Sequence, residues 1–432
     1  MPASPSTARA INDRLALRLM QQEGPLTAGQ LKQLTGLSRP TVADLVERLT
    51  VAGLIAVVGE SGEQRRGPKA RLYGIVAGRA HLAALDVRTG GVSVLVSDLL
   101  GGVLARASVP IGGDTGTGPA VEQAVTLVER AAKEAGAASL HTVGIGAPGL
   151  IDPATGELRD TTGLPAWHRR LVTALQERLP ARVIVENETN LAALAEQREG
   201  VARDRGTFVL LWLGHGTGAA VVLDGALRRG ASGGTGEIGF LPVPGTRTLP
   251  SATDCEGGFH SLAGAAAIAE LAKEYGMPTQ GQSDGPGAAA LVRRAVRAVE
   301  GRDAGADRAA GEGPAIEDGP AAGEGPPAGA GRPGAPDQDT ASGFLDALAD
   351  RLAIGAASVT AVLDPGCVVL GGEVGQAGGH MLAGRVRERL VRMSPLTTEV
   401  RASALGGGAV LRGALLTARD GAQDDLFAPP AR

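Results

Sequence analysis

The sequence predicts an α/β protein in which an N-terminal winged helix-turn-helix precedes a two-lobed body. Three observations carry this expectation. A Thr-x-x-Gln helix start, a glycine turn and a Ser-capped helix follow one another between residues 27 and 53. A meander of apolar strands joined by Gly-Gly turns occupies 82–109, and a similar one begins at 207. The chain of 432 residues is too long for one ordinary core. The expected domains are 8–77 for the winged helix, 80–200 for the first lobe and 201–420 for the second.

Within the first domain, Ile11, Leu15 and Leu19 recur at helical spacing and predict a first helix that buries them. Thr27 and Gln30 form a capping box for a second helix, with Leu31 and Leu34 as its buried pair. Gly36 turns the chain, Ser38 caps a third helix with Pro40 in its first turn, and Val42, Leu45, Val46 and Leu49 line its inner face until Gly53. Such a third helix presents its N-terminal residues, here Ser38, Arg39 and Thr41 and then Asp44, to base edges in a major groove. Residues 54–58 and 72–76 read as strands flanking a wing whose Arg65, Arg66 and Lys69 suit phosphates or a narrow minor groove. The competing reading is a helical protein-interaction domain with a basic hairpin.

In the body, 82–88, 92–97 and 103–109 read as one meander. Residues 207–213, the turn Gly214–Gly218 and 219–223 begin the other. Two such lobes imply a cleft between them for a ligand. Residues 301–341 contain 27 Gly, Ala or Pro among 41, which predicts a disordered insertion.

Composition narrows the function. Hydrophobic residues make up 43% and charged residues 20%, and no apolar run reaches bilayer length. No apolar segment of signal-peptide type follows the first charges. Cys255 and Cys367 provide neither a disulfide framework nor a metal-ligand spacing. A cytoplasmic protein without membrane partners is expected. Residues 1–80 carry 11 Lys and Arg against 6 Asp and Glu, a balance of +5, so the remainder of the chain holds −9 of the overall −4. Only the N-terminal domain is therefore expected to meet a polyanion.

Five motifs in order give the body a resemblance to the ROK family of sugar kinases and related repressors. They are Val143-Gly-Ile-Gly-Ala-Pro-Gly-Leu-Ile-Asp152, Gly163-Leu-Pro-Ala-Trp167, Val185-Glu-Asn-Glu-Thr-Asn-Leu-Ala-Ala-Leu-Ala-Glu196, Gly236-Glu-Ile-Gly-Phe240 and Leu363-Asp-Pro-Gly-Cys-Val-Val-Leu-Gly-Gly-Glu-Val374. The resemblance implies a two-lobed actin-like (ribonuclease H-like) ROK domain. With the N-terminal winged helix, it implies a repressor-type member that binds operator DNA as a homodimer. It also implies Asn187, Glu188, Glu237 and His260 as contacts for a sugar or sugar-phosphate effector.

Departures from the family's kinase pattern are specific. Where kinases have an Asp-x-Gly-Gly-Thr phosphate loop, this chain reads Asp86-Val-Arg-Thr-Gly, and Arg88 and Thr89 crowd the approach to the backbone. Glu188 replaces the aspartate that serves as general base, and it reaches about 1 Å further. Phe240 stands where zinc-binding members have histidine, and Cys255 is alone in the zinc-loop region. The expectation is a DNA-binding regulator with no catalytic residues, no cofactor and no metal. The alternative is an ATP-dependent sugar kinase with an accessory DNA-binding domain.

Overall fold

A computed structural model describes the chain except for residues 1–4, 62–69, 159–165, 280–282, 302–335 and 428–432, and the side chains of 5–7. It divides into two compact units, Met1–Leu191 with Val410–Arg432, and Ala192–Ala409.

The first unit begins with the winged helix: α1 (Pro5–Glu23), β1 (Leu26–Thr27), α2 (Ala28–Thr35), α3 (Arg39–Val51), β2 (Ile55–Glu60) and β3 (Arg71–Ile75). The three strands form one small sheet in the order β1-β3-β2. The capping box forms as expected, because Thr27 Oγ1 accepts from Gln30 N and the Gln30 carboxamide accepts from Thr27 N at 2.8 Å. Gly36 ends α2 with φ 70°, a left-handed conformation that disfavours other residues.

Two side-chain expectations here need correction. Ile11 and Leu15 are 58% and 40% exposed, while Ala16, Leu17 and Met20 are buried. The inward stripe of α1 runs 13-16-17-20 and starts with Asp13, which pairs with Arg48 of α3 at 2.6 Å; a charge and an alanine hid it among larger aliphatic residues. Leu34 is also exposed, because only Leu31 of the two-turn α2 reaches the core. The four predicted inner residues of α3 are all buried.

The remainder of the first unit is β4 (His81–Arg88), β5 (Gly91–Asp98), β6 (Val103–Pro110), α4 (Thr117–Glu134), β7 (Thr142–Ala147), α5 (Trp167–Arg178), β8 (Arg182–Asn187) and the start of α6 (Glu188–Arg198). Its sheet has the order β6-β5-β4-β7-β8, antiparallel through the meander and parallel across β4, β7 and β8.

The second unit contains β9 (Phe208–Leu213), β10 (Thr217–Leu223), β11 (Ala226–Arg228), α7 (His260–Ala263), α8 (Ala265–Glu274), α9 (Gly285–Val299), α10 (Gln338–Leu363), β12 (Cys367–Gly371), α11 (Gly372–Met393) and β13 (Glu399–Ala402). Its sheet order, β11-β10-β9-β12-β13, repeats the first with the same change from antiparallel to parallel. This duplicated meander-plus-parallel sheet is the actin-like ROK architecture expected.

Helix α12 (Ala409–Leu426) returns to the first unit, although the sequence reading put residues to 420 in the second lobe. It packs on β7, where a side chain at Gly144 would strike the Ala414 carbonyl and one at Gly146 would meet Val410 and Leu191. Gln423 Nε2 donates to the Leu99 carbonyl at 3.4 Å.

The expected insertion 301–341 lies mostly outside the described residues, but its end is ordered. Asp337 caps α10, accepting from Thr340 N at 2.9 Å, and Ala341, Phe344 and Leu345 are buried just beyond. Glycine and alanine content had hidden the cap. Among the described residues, no helix is long and apolar enough to cross a membrane.

Candidate functional sites

The exposed N-terminal turn of α3 is built from a cap. Ser38 Oγ accepts from Thr41 N at 3.3 Å and lies 2.8 Å from Thr41 Oγ1, so these two hydroxyls hold the first turn. Arg39 projects from that turn and is exposed. Arg48 pairs with Asp13 and with Asp44, which locks α3 against α1 and commits Asp44 to an intrahelical ion pair. Asp13 and Arg48, 35 residues apart, form an interhelical ion pair that local spacing does not reveal. The wing residues Arg65, Arg66 and Lys69 lie outside the described residues.

In the first unit, Asn187 and Glu188 meet at the junction of β8 and α6. Asn187 caps α6, its Oδ1 accepting from Thr189 N at 2.8 Å, and its amide donates to the Gly149 carbonyl at 3.0 Å. Asn190 Nδ2 and Asn187 N both donate to Glu186 Oε1 at 3.0 Å, which fixes this corner of the motif. Glu188 occupies the first turn of α6, where the helix dipole favours a carboxylate. The motif's last residue, Glu196, is fully buried in the second unit, where it accepts from Ser403 Oγ and from Val201 N at 2.9 Å; its role is structural.

At the position of the kinase phosphate loop, the charge of Arg88 is paired within its own strand. Arg88 Nε donates to the buried Asp86 carboxylate at 2.9 Å. Beside it lies His168, which the sequence reading missed although it directly follows Trp167 on the inner face of α5. Neither ring nitrogen has a hydrogen-bond partner of good geometry. Burial pushes the imidazole down to about 4, and the nearby Arg88 backbone opposes this only in part. Trp167 belongs to the apolar core rather than to an open site.

In the second unit, Gly236 lies against β10, where a side chain would collide with the Ala219 carbonyl; its φ of 91° permits the turn that presents Glu237. Glu237 is open to water, yet the protein matter around it pushes its carboxyl above the ordinary carboxylate range. His260 opens α7, and a Cβ at Gly239 would lie 3.7 Å from its own Cβ. Burial and the neighbouring His215 lower the His260 imidazole, partly opposed by Asp254. Phe240 is partly exposed. The loop before His260 is pinned by Phe259, whose ring is buried against Gly355, and Phe259 N donates to the Leu241 carbonyl at 2.9 Å. No group of three or more His, Cys, Asp or Glu suited to a metal occurs among the described residues.

Comparison with known proteins gives this geometry a family. The ROK family profile matches residues 84–300 and 335–420, and a MarR family profile matches 12–67. The chain is 27% identical over 243 residues to the DNA-binding transcriptional dual regulator NagC of Escherichia coli (strain K12), covering 54% of this chain and 58% of that one. It is 25% identical over 239 residues to a xylose repressor of Caldicellulosiruptor bescii, covering 54% and 59%. The chain thus spans less than two thirds of the length of these relatives. The crystal structure of a ROK family transcriptional regulator, a homolog of the E. coli MLC protein, superposes with a TM-score of 0.70 at 18% identity, covering 97% of this chain and 98% of that chain. At that identity the likeness is one of fold. A ROK hexokinase from Thermus thermophilus superposes with a TM-score of 0.56 at 26% identity, covering 80% and 99%. With a profile match that runs through both units, the chain belongs to the ROK family and carries a MarR-type winged helix ahead of its ROK domain.

Proposed function

We propose that this protein is a cytoplasmic transcriptional repressor that binds operator DNA as a homodimer and responds to a small carbohydrate. The carrying observation is the exposed first turn of α3, capped by Ser38 and braced through Arg48. This is the rigid presentation that base reading in a major groove requires. Arg39 reads a base edge in this scheme, while Arg65, Arg66 and Lys69 meet phosphates or the minor groove. Asn187 and Glu188 in one unit, and Glu237 and His260 in the other, supply groups that hydrogen-bond sugar hydroxyls. Relatives named N-acetylglucosamine repressor and xylose repressor make those two sugars the first effectors to try.

Effector binding acts by population shift: a sugar that prefers one conformation of the ROK domain changes how the two winged helices address their half-sites. Catalysis has no part in the scheme. The Arg88–Asp86 pair neutralises the carboxylate of the former phosphate loop, and Arg88 stands where the kinase loop has glycine.

Selection from a random duplex pool at near-physiological salt tests the reading. An inverted repeat with half-sites about one helical turn apart is expected. N-acetylglucosamine or xylose should then weaken the complex, and a hexose panel should show no ATP turnover. Recovery of no sequence by demonstrably folded protein would sink the regulator reading, and turnover would favour the kinase.

A further inference from the structure

We propose that Glu47 of α3 selects a cytosine in each operator half-site by accepting a hydrogen bond from its N4 amine, an inference that rests on the DNA-binding reading above and names a base for it. Val42, Leu45, Val46 and Leu49 lie on the inner side of α3, where the helix meets α1, α2 and β2. At about 100° per residue, the direction opposite to this quartet belongs to Pro40, Glu47 and Val51, with Ala43 and Asp44 on the flanks. All five of these residues are exposed. Glu47 therefore stands near the middle of the surface that α3 presents to a groove. Arg39 lies two turns earlier, about 12 Å back along the axis, or about three base-pair steps, so the two residues address different base pairs.

The charges on this face are mixed. Arg39 supplies a cation at the N-terminal end, while Asp44 and Glu47 supply carboxylates. The two acids differ in their surroundings. Asp44 is neutralised by Arg48, one turn along the helix, and Arg48 is itself held by Asp13 of α1 at 2.6 Å. Glu47 makes no ion pair among the described residues. A carboxylate brought uncompensated into DNA is repelled by the phosphates and loses water, unless a base edge offers it a donor. The donors of the major groove are the exocyclic amines, N4 of cytosine and N6 of adenine. Guanine and thymine present the acceptors N7, O6 and O4, which repel a carboxylate. Adenine sets its N7 acceptor beside the amine, whereas cytosine has no acceptor on that edge. A group that only accepts thus fits cytosine.

The same chemistry says what a near-isosteric replacement does. A glutamine carboxamide offers one acceptor and one donor, which match N6 and N7 of adenine. Glu47→Gln should therefore move the preference at one position from cytosine to adenine. Neither a packing role nor a bulk-charge role for Glu47 produces that exchange. Glu47→Ala should leave the position unread.

Parallel selections from a random duplex pool with the full chain as wild type, Glu47→Gln, Glu47→Ala and Arg39→Ala test this, with thermal unfolding to verify that each variant is folded. One position of each wild-type half-site should be cytosine, favoured by about tenfold or more against singly changed duplexes. That position should become adenine in Glu47→Gln and any base in Glu47→Ala. Arg39→Ala should keep the cytosine and relax a different position. One operator shared unchanged by wild type and both Glu47 variants overturns the proposal, as does a Glu47-dependent position that is not cytosine in wild type. So does uniformly tighter binding by both Glu47 variants with no change of sequence, which would reduce the carboxylate to a source of repulsion. Recovery of no operator by any of the folded proteins overturns the DNA-binding reading itself, and this inference with it.

Discussion

Ser38 and Thr41 spend their hydroxyls on each other and on the first turn of α3, which leaves Arg39 as the expected residue with reach into a major groove. Replacing Arg39 with alanine should relax base preference at one position of the selected operator, at a cost of about 1–3 kcal/mol in specific binding, measured against a panel of singly changed duplexes. His168 makes a different prediction. Its imidazole stays neutral in the folded protein down to about 4, whereas in the unfolded chain it titrates near 6.5. The unfolded state therefore takes up a proton first as the pH falls. Stability is unaffected by this group above 6.5, declines as the pH drops towards 4 and then levels off, for a total loss of about 3 kcal/mol. Urea midpoints across that range should show this slope in wild type and a reduced one in His168→Phe.

At the scale of elements, the helix-turn-helix rests on one local device and one distant pair. Thr27→Ala removes the capping box of α2 and should lower the stability of the winged helix by about 0.5–2 kcal/mol, read by chemical denaturation of the full chain followed through its N-terminal amides. That device was legible because capping chemistry operates within four residues. The Asp13–Arg48 pair was not, since it joins two helices, and the same ignorance misplaced the inner face of α1. The loop before α7 shows the same divide. The sequence shows that Phe240 and a lone Cys255 replace zinc-ligand positions; it does not show that the buried ring of Phe259 anchors the segment instead. Phe259→Ala should destabilise the second unit by about 3–5 kcal/mol, visible as an earlier unfolding transition of that unit, with His260 losing protection in the same variant.

For the whole molecule, the repeated meander was readable because strand periodicity and Gly-Gly turns are local signals. The matching sheet orders then follow from the same three-strand start in each lobe. The path of the chain after β13 was not readable. Gly144 and Gly146 carry the trace of it, since each removes a side chain from the surface that α12 covers, but a missing side chain does not name the element that fills its place. The candidate effector residues were legible only as family positions. Their local duties differ, with Asn187 spending its carbonyl on a helix cap and Glu237 standing open to water under a raised carboxyl pKa.

The return of α12 has a consequence for biosynthesis. A ribosome delivers the first sheet early, but the helix that covers β7 emerges only after the entire second unit has been made. Throughout that interval the nascent chain carries an unsheltered apolar face, the situation in which holdase chaperones engage and premature termination is punished by aggregation. A chain released at residue 408 should therefore be insoluble or chaperone-bound even though every residue of its first sheet is present.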